Sequence, residues 1–259
     1  HINLPGIALK LPGVTEQDKE DVLFGIQNNF DIIAMSFVRS AENVEEMREF
    51  LKANGGEHMK IISKIENQQG LDNLDEIIVA SDGIMVARGD LGIEVPVEKL
   101  PMYQEIMISK CLDYGKPVIT ATQMIESMMK EPFPTRAEIN DIYTAVKQGT
   151  DCVMLSGETA IGDYPVEAVT YMAKTVQTAE EVIRQDQGVF DDADRMSVIE
   201  GAMQLAETVG ARAVVIDGLG DDWDLVNELR ALKCTVPLLI RVASQQLIAM
   251  TNYFGGVYT

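Results

Sequence analysis

Histidine is almost missing from this sequence: His1 and His58 are the only two in 259 residues. Histidine-based acid–base chemistry and histidine-bound zinc are therefore poor candidates for its mechanism. Cysteine is scarce too. Cys111, Cys152 and Cys234 are odd in number, far apart and without metal-ligand spacing, so they read as buried thiols in a reducing cytoplasm. Positive charge is short, with 21 Lys and Arg against 41 Asp and Glu, a formal net charge of −20 and a pI near 4.4. That balance argues against nucleic acid or an anionic membrane surface as a partner, though a local basic pocket remains open. No apolar run approaches the length of a membrane span, and no signal peptide is visible. Any chemistry falls to Lys, Arg, Asp, Glu, Ser and Thr.

What is present suffices for a core. Hydrophobic residues make up 46% of the chain, enough for one large domain or one domain plus part of another. Apolar runs predict strands over residues 31–37, 60–67, 83–90, 117–123 and 152–157. Between them, spacings of three and four predict helices over 16–28, 42–52, 71–81 and 100–114, and again between 135 and 149 and over 165–183. Thr15 with Asp18, and Thr135 with Glu138, read as capping boxes. Gly115 reads as a helix stop. Strands alternating with helices imply a parallel sheet. Polar residues gathered at the strand ends (Ser36, Arg39, Thr122, Ser156 and Glu158 among them) match the active face of a (β/α)8 barrel.

Five strands cannot close such a barrel. The expected fold is α/β: part of a (β/α)8 TIM-type barrel over residues 1–184, a polar acidic linker over 185–194, and part of a small α/β C-terminal domain over 195–259. In that last part the pattern predicts helices over 198–209, 223–232 and 245–253. Strands are predicted over 213–216 and 236–241, with another starting at 257. The chain starts without Met and stops in mid-pattern, so it is expected to be truncated at both ends.

Two strand ends carry the densest charge. Ile61-Ile62-Ser63-Lys64-Ile65-Glu66-Asn67 puts Lys64 and Glu66 on one face, and Gly83-Ile84-Met85-Val86-Ala87-Arg88-Gly89-Asp90 does the same for Arg88 and Asp90. On neighbouring parallel strands these four would meet, and charges buried there need each other or a cation. Two carboxylates suit a hard ion such as Mg²⁺ with room for substrate oxygens. Two structural ion pairs, Lys64–Glu66 and Arg88–Asp90, fit the same pattern.

Several blocks resemble the pyruvate kinase family. They are Asn3-Leu4-Pro5-Gly6, Ser63-Lys64-Ile65-Glu66-Asn67, Met85-Val86-Ala87-Arg88-Gly89-Asp90-Leu91-Gly92, Ala121-Thr122-Gln123-Met124, Pro134-Thr135-Arg136-Ala137-Glu138 and Val153-Met154-Leu155-Ser156-Gly157-Glu158-Thr159-Ala160. They occur in the family's order and cover residues 1 to about 185; from about 195 the likeness is looser. The resemblance implies an enzyme, a phosphotransferase moving the phosphoryl group of phosphoenolpyruvate to ADP, giving ATP and pyruvate in the last step of glycolysis. Glu66 and Asp90 would then be ligands of Mg²⁺ (or Mn²⁺). Lys64 would be the catalytic cation on the moving phosphoryl group. The backbone donors of Gly89 and Asp90, together with Thr122, would bind the substrate carboxylate, with Thr122 also near the site of enolate protonation. The family further implies a K⁺ ion whose ligands lie outside this chain, a cytoplasmic location and a homotetramer.

Three stretches depart from the family pattern: Ile142-Tyr143-Thr144, Ile161 with Asp163, and Phe133. Two other readings fit the same residues, a Mg²⁺-dependent lyase or aldolase of the phosphoenolpyruvate/pyruvate barrel group and a non-catalytic fragment. These 259 residues alone are expected to have little or no kinase activity. The loop Asp217-Gly218-Leu219-Gly220-Asp221-Asp222 follows a predicted strand, but its three aspartates would repel a phosphorylated effector, so no sugar-phosphate activation is expected there.

Overall fold

The computed structural model describes residues 12–186, 195–216, 236–240 and 257–258. Helix α1 (Glu16–Gln27) opens on the Thr15 capping box, in which the Thr15 hydroxyl accepts the Asp18 amide and the Asp18 carboxylate accepts the Thr15 amide. Strand β1 (Ile32–Met35), helix α2 (Ala41–Ala53) and strand β2 (Lys60–Ile65) follow. The helix predicted over 71–81 is two: α3 (Gln68–Asp72), capped by the Asn67 side chain on the Gly70 amide, and α4 (Leu74–Ala80). Then come β3 (Gly83–Ala87), α5 (Arg88–Glu94), α6 (Leu100–Asp113), β4 (Val118–Ala121), α7 (Arg136–Lys147), β5 (Cys152–Met154), α8 (Gly157–Ala160) and α9 (Pro165–Asp186).

All five strands are parallel and lie in sequence order, β1-β2-β3-β4-β5, with Lys64 beside Met85 and Ala87 beside Ala121. Right-handed crossovers through helices are the ordinary way to join such strands, and the order is that of consecutive barrel units. β3 is buried at all five positions, as expected of a strand covered on both faces.

The two faces have separate cores. On one, Ile61, Ile65, Ile84, Val86 and Val118 pack with Val44, Met47 and Leu51 of α2, Ile77 and Ile78 of α4, and Met107 and Ile108 of α6. On the other, Ile62, Met85 and Ala121 gather with Ile32, Ile119 and Met154. Alternation therefore assigns Ile62, and Lys64 after it, to the face away from the helices. At the N-terminal ends of the strands the charges neutralise one another. Asp82 accepts from Arg48 at 3.1 Å and from the Ile61 amide at 2.9 Å, and pairs with Lys60 at 3.5 Å.

A further core joins α7 to α9 around Ile142, Ala145, Val146, Ala168 and Met172. The departure at Ile142-Tyr143-Thr144 is thereby a packing matter. Ile142 is fully buried, Tyr143 packs on the same cluster, and the Thr144 hydroxyl bonds back to the Asn140 carbonyl at 2.8 Å. Phe133 stands edge-on to Tyr171, Ile161 is exposed, and Asp163 pairs with Lys130 at 3.2 Å.

The capping box of α7 does more than start a helix. The Glu138 carboxylate accepts the Thr135 amide and hydroxyl at 2.7 and 2.8 Å, and also the Ser127 amide and hydroxyl at 2.8 and 2.6 Å. Burial alone would raise the Glu138 pKa, but these donors, Ser127 first, outweigh it and hold the group below its ordinary value. A depressed carboxylate contributes stability above its unfolded pKa, about 4.3, and that contribution disappears as pH falls through the lower folded value. Glu138→Gln is expected to cost about 1–2 kcal/mol near neutral pH and to leave a flatter stability profile below about pH 4. Denaturant midpoints of both proteins across that pH range check it.

Beyond α9 comes helix α10 (Arg195–Thr208), and strands β6 (Val214–Ile216), β7 (Leu238–Ile240) and β8 (Val257–Tyr258) make up a second parallel sheet, in the order β6-β7-β8. The predicted helices over 223–232 and 245–253, the loop at 217–222 and Cys234 lie outside the described residues, as does most of the predicted linker. No helix among the described residues is long and apolar enough to cross a membrane.

Candidate active site

The predicted residues lie at or just beyond the C-terminal ends of β2, β3 and β4 and meet in two sets, Lys64 with Glu66 and Gly89 with Thr122. β2 ends at Ile65, and Lys64 Nζ lies 2.9 Å from Glu66 Oε1. The same ammonium donates to Ser36 Oγ at 2.9 Å, reaching across to the end of β1. Glu66 is 1% exposed and its other oxygen, Oε2, accepts the Phe37 amide at 2.6 Å. A buried carboxylate with one donor on each oxygen has met much of its desolvation cost. Lone pairs remain on both oxygens, so it can still serve as a ligand.

Phe37 has φ +53°, rare for a bulky residue. That backbone turns its amide onto Glu66. The sequence marks Ser36 only as a polar strand end and gives Phe37 no distinct role. Their joint signal in the sequence is the polar residue breaking the apolar run after Met35.

The predicted pairing of Arg88 and Asp90 on one face does not hold. β3 ends at Ala87 and α5 begins at Arg88, so the two-residue alternation stops before either charge is reached. Asp90 is exposed in the first turn of α5, whereas Arg88 is buried. The partner of Arg88 is Asp141 of α7, at 2.8 and 2.6 Å to its two oxygens. Asp141 was missed. Its trace in the sequence is an acidic residue one turn before Ala145 and next to Ile142, at the edge of a helix's apolar face.

Thr122 was expected inside a strand over 117–123. β4 in fact stops at Ala121, and Thr122 and Gln123 take φ of +68° and +52°. The Thr122 hydroxyl accepts the Gly89 amide at 2.7 Å and donates to the Ala121 carbonyl at 2.6 Å. Hydroxyl and amide therefore form one unit across the β3 and β4 ends. A Cβ built at Gly89 would meet Thr122 Oγ1 at 3.4 Å, an ordinary contact, so packing within the chain does not by itself require glycine.

Glu158 is a brace of the neighbouring loops. It is buried and accepts the Ser156 amide at 2.9 Å and the Ile125 amide at 3.4 Å.

Glu66 and Asp90 supply hard oxygen donors after neighbouring strands. No group of three or more His, Cys, Asp or Glu side chains is poised for a metal among the described residues. Two carboxylates fit an ion that completes its shell with water and substrate oxygens, which is the habit of Mg²⁺ and does not suit zinc.

Residues 1–169 match the family model described as pyruvate kinase, barrel domain. A pyruvate kinase of Dictyostelium discoideum is 53% identical over 255 residues, 98% of this chain and 50% of that protein. One from Borreliella burgdorferi is 44% identical over 264 residues, 100% of this chain and 55% of that protein. One from Clostridium acetobutylicum is 54% identical over 185 residues, 71% of this chain and 39% of that protein. The chain thus spans from about two fifths to about half the length of these relatives. On the match to residues 1–169 and the identity to relatives along nearly its whole length, the chain belongs to the pyruvate kinase family.

Proposed function

We propose that this chain contributes the phosphoenolpyruvate and metal sites of an enzyme that transfers the phosphoryl group of phosphoenolpyruvate to ADP. The carrying observation is the cluster at the strand ends. Lys64 lies 2.9 Å from the buried Glu66, and the Gly89–Thr122 unit stands on the next two strands. In the transfer, the bond between phosphorus and the enol oxygen breaks as a β-phosphate oxygen of ADP bonds to phosphorus. The enolate left behind takes a proton at its methylene carbon to give pyruvate.

Such a step needs positioning and positive charge more than covalent work by the protein. Lys64 fits the charge, since its ammonium is tethered by Ser36 and Glu66 and its side chain remains about a quarter exposed. Glu66 and Asp90 would hold Mg²⁺ or Mn²⁺, which supplies further positive charge to the phosphoryl transfer and the enolate. Thr122 and the backbone of Gly89 and Asp90 would bind the substrate carboxylate, the Thr122 O–H turning from the Ala121 carbonyl to the ligand. The same reading carries a K⁺ requirement met outside these residues, a homotetramer and a cytoplasmic location. It also divides the chain into barrel units over 1–184, a linker over 185–194 and a partial α/β domain over 195–259.

A coupled assay on the full-length protein tests the activity. Pyruvate release from phosphoenolpyruvate is expected only with both ADP and a divalent cation. Release without ADP would instead point to hydrolysis and overturn the assignment.

A further inference from the structure

Thr122 and Gln123 are consecutive non-glycine residues in the left-handed region, with φ of +68° and +52°. Such a backbone is strained for a residue with a Cβ and persists only where its surroundings hold it. Arg88 is the holding group. Arg88 Nη2 and Nε both donate to the Thr122 carbonyl oxygen, at 2.7 and 3.2 Å. Arg88 Nη1 donates to both Asp141 oxygens, at 2.8 and 2.6 Å, and to Gln104 Oε1 at 3.2 Å. Gln104 is fixed in turn by donating to Gln148 Oε1 at 2.8 Å.

The circuit closes on the candidate site. The side chain of Arg88 takes the carbonyl of Thr122, and the side chain of Thr122 takes the amide of Gly89, the residue after Arg88. Arg88 is 7% exposed, so the charge of Asp141 is what lets a cation stay there. A lysine could not replace it. An ammonium is a single centre, whereas the guanidinium plane addresses the Thr122 carbonyl, Asp141 and Gln104 at once.

We infer that Arg88, held by Asp141, is a positioning residue for substrate binding. It pins the left-handed turn at Thr122 and so sets the Thr122 hydroxyl against the Gly89 amide. α7 thereby reaches the substrate face through Asp141 without touching substrate. The inference rests on the reading that Thr122 and Gly89 bind the substrate carboxylate.

Steady-state kinetics of the full-length enzyme test it, using Arg88→Lys, Asp141→Asn, Thr122→Ala and the Arg88→Lys/Thr122→Ala double variant. Arg88→Lys and Asp141→Asn are each expected to raise KM for phosphoenolpyruvate about tenfold or more, with KM for ADP unchanged. Because Arg88 acts through Thr122, the double variant is expected to be no worse than the more severe single one. Asp141→Asn keeps an acceptor for the guanidinium and carries the test if Arg88→Lys fails to fold. Loss of kcat with an unchanged KM for phosphoenolpyruvate would mean a merely structural pair and overturn the inference. So would Thr122→Ala raising that KM while neither Arg88→Lys nor Asp141→Asn did. If Thr122→Ala itself left that KM unchanged, the carboxylate-site reading would fall first, and this inference with it.

Discussion

Lys64→Met in the full-length enzyme is expected to slow phosphoryl transfer by roughly 10³–10⁵-fold, the range seen when a preorganised cation on the moving group is lost. Methionine keeps the length and apolar stem of the side chain, so packing at the end of β2 changes little. Glu66 loses its partner at 2.9 Å but keeps the Phe37 amide on its other oxygen, and its charge remains available to a cation. Metal affinity is therefore expected to hold. Exchange of pyruvate methyl protons with solvent requires a stabilised enolate and no phosphoryl transfer. It should survive in Lys64→Met at a measurable fraction of the parent rate. NMR for exchange and a coupled assay for transfer, on one preparation, give the comparison. Complete loss of exchange with metal affinity intact would move Lys64 to the proton-transfer step.

Glu66→Gln and Asp90→Asn are expected to depress both reactions together and to raise the Mg²⁺ requirement. The rise should be no smaller than the roughly 10–100-fold that loss of an outer-shell partner costs a metal site. The two differ in what else they disturb. Glu66 is buried between Lys64 and the Phe37 amide, so Glu66→Gln also weakens the fold, by about 1–3 kcal/mol. Asp90 is exposed, and Asp90→Asn should leave stability within about 0.5 kcal/mol. Thermal melts beside a Mg²⁺ titration separate the effects. An Asp90→Asn enzyme with an unchanged Mg²⁺ requirement would remove Asp90 from the metal site.

The sequence by itself determined the order of the five strands and of the longer helices between them, though not the short helices α3, α5 and α8. Apolar runs such as Gly83–Ala87 and the capping boxes at Thr15 and Thr135 are local signals, fixed by hydrogen bonds within a few residues. It also placed Lys64 and Glu66 together, because β2 reaches Ile65 and Glu66 follows directly, within 2.9 Å of the Lys64 ammonium. Strand alternation failed for Arg88 and Asp90 and for Thr122, where strands give way to a helix or to positive φ. Backbone breaks of that sort are held by distant groups, and no local pattern announces them. The Arg88–Asp141 pair joins residues 53 apart, and the Phe37 amide meets Glu66 from 29 residues away. Only the packing of β1 beside β2, and the approach of Asp141 on α7 to Arg88 at the start of α5, decided which buried charge met which partner. A charge inside a protein settles on the nearest group able to offset its desolvation, and that neighbour is set by the tertiary fold.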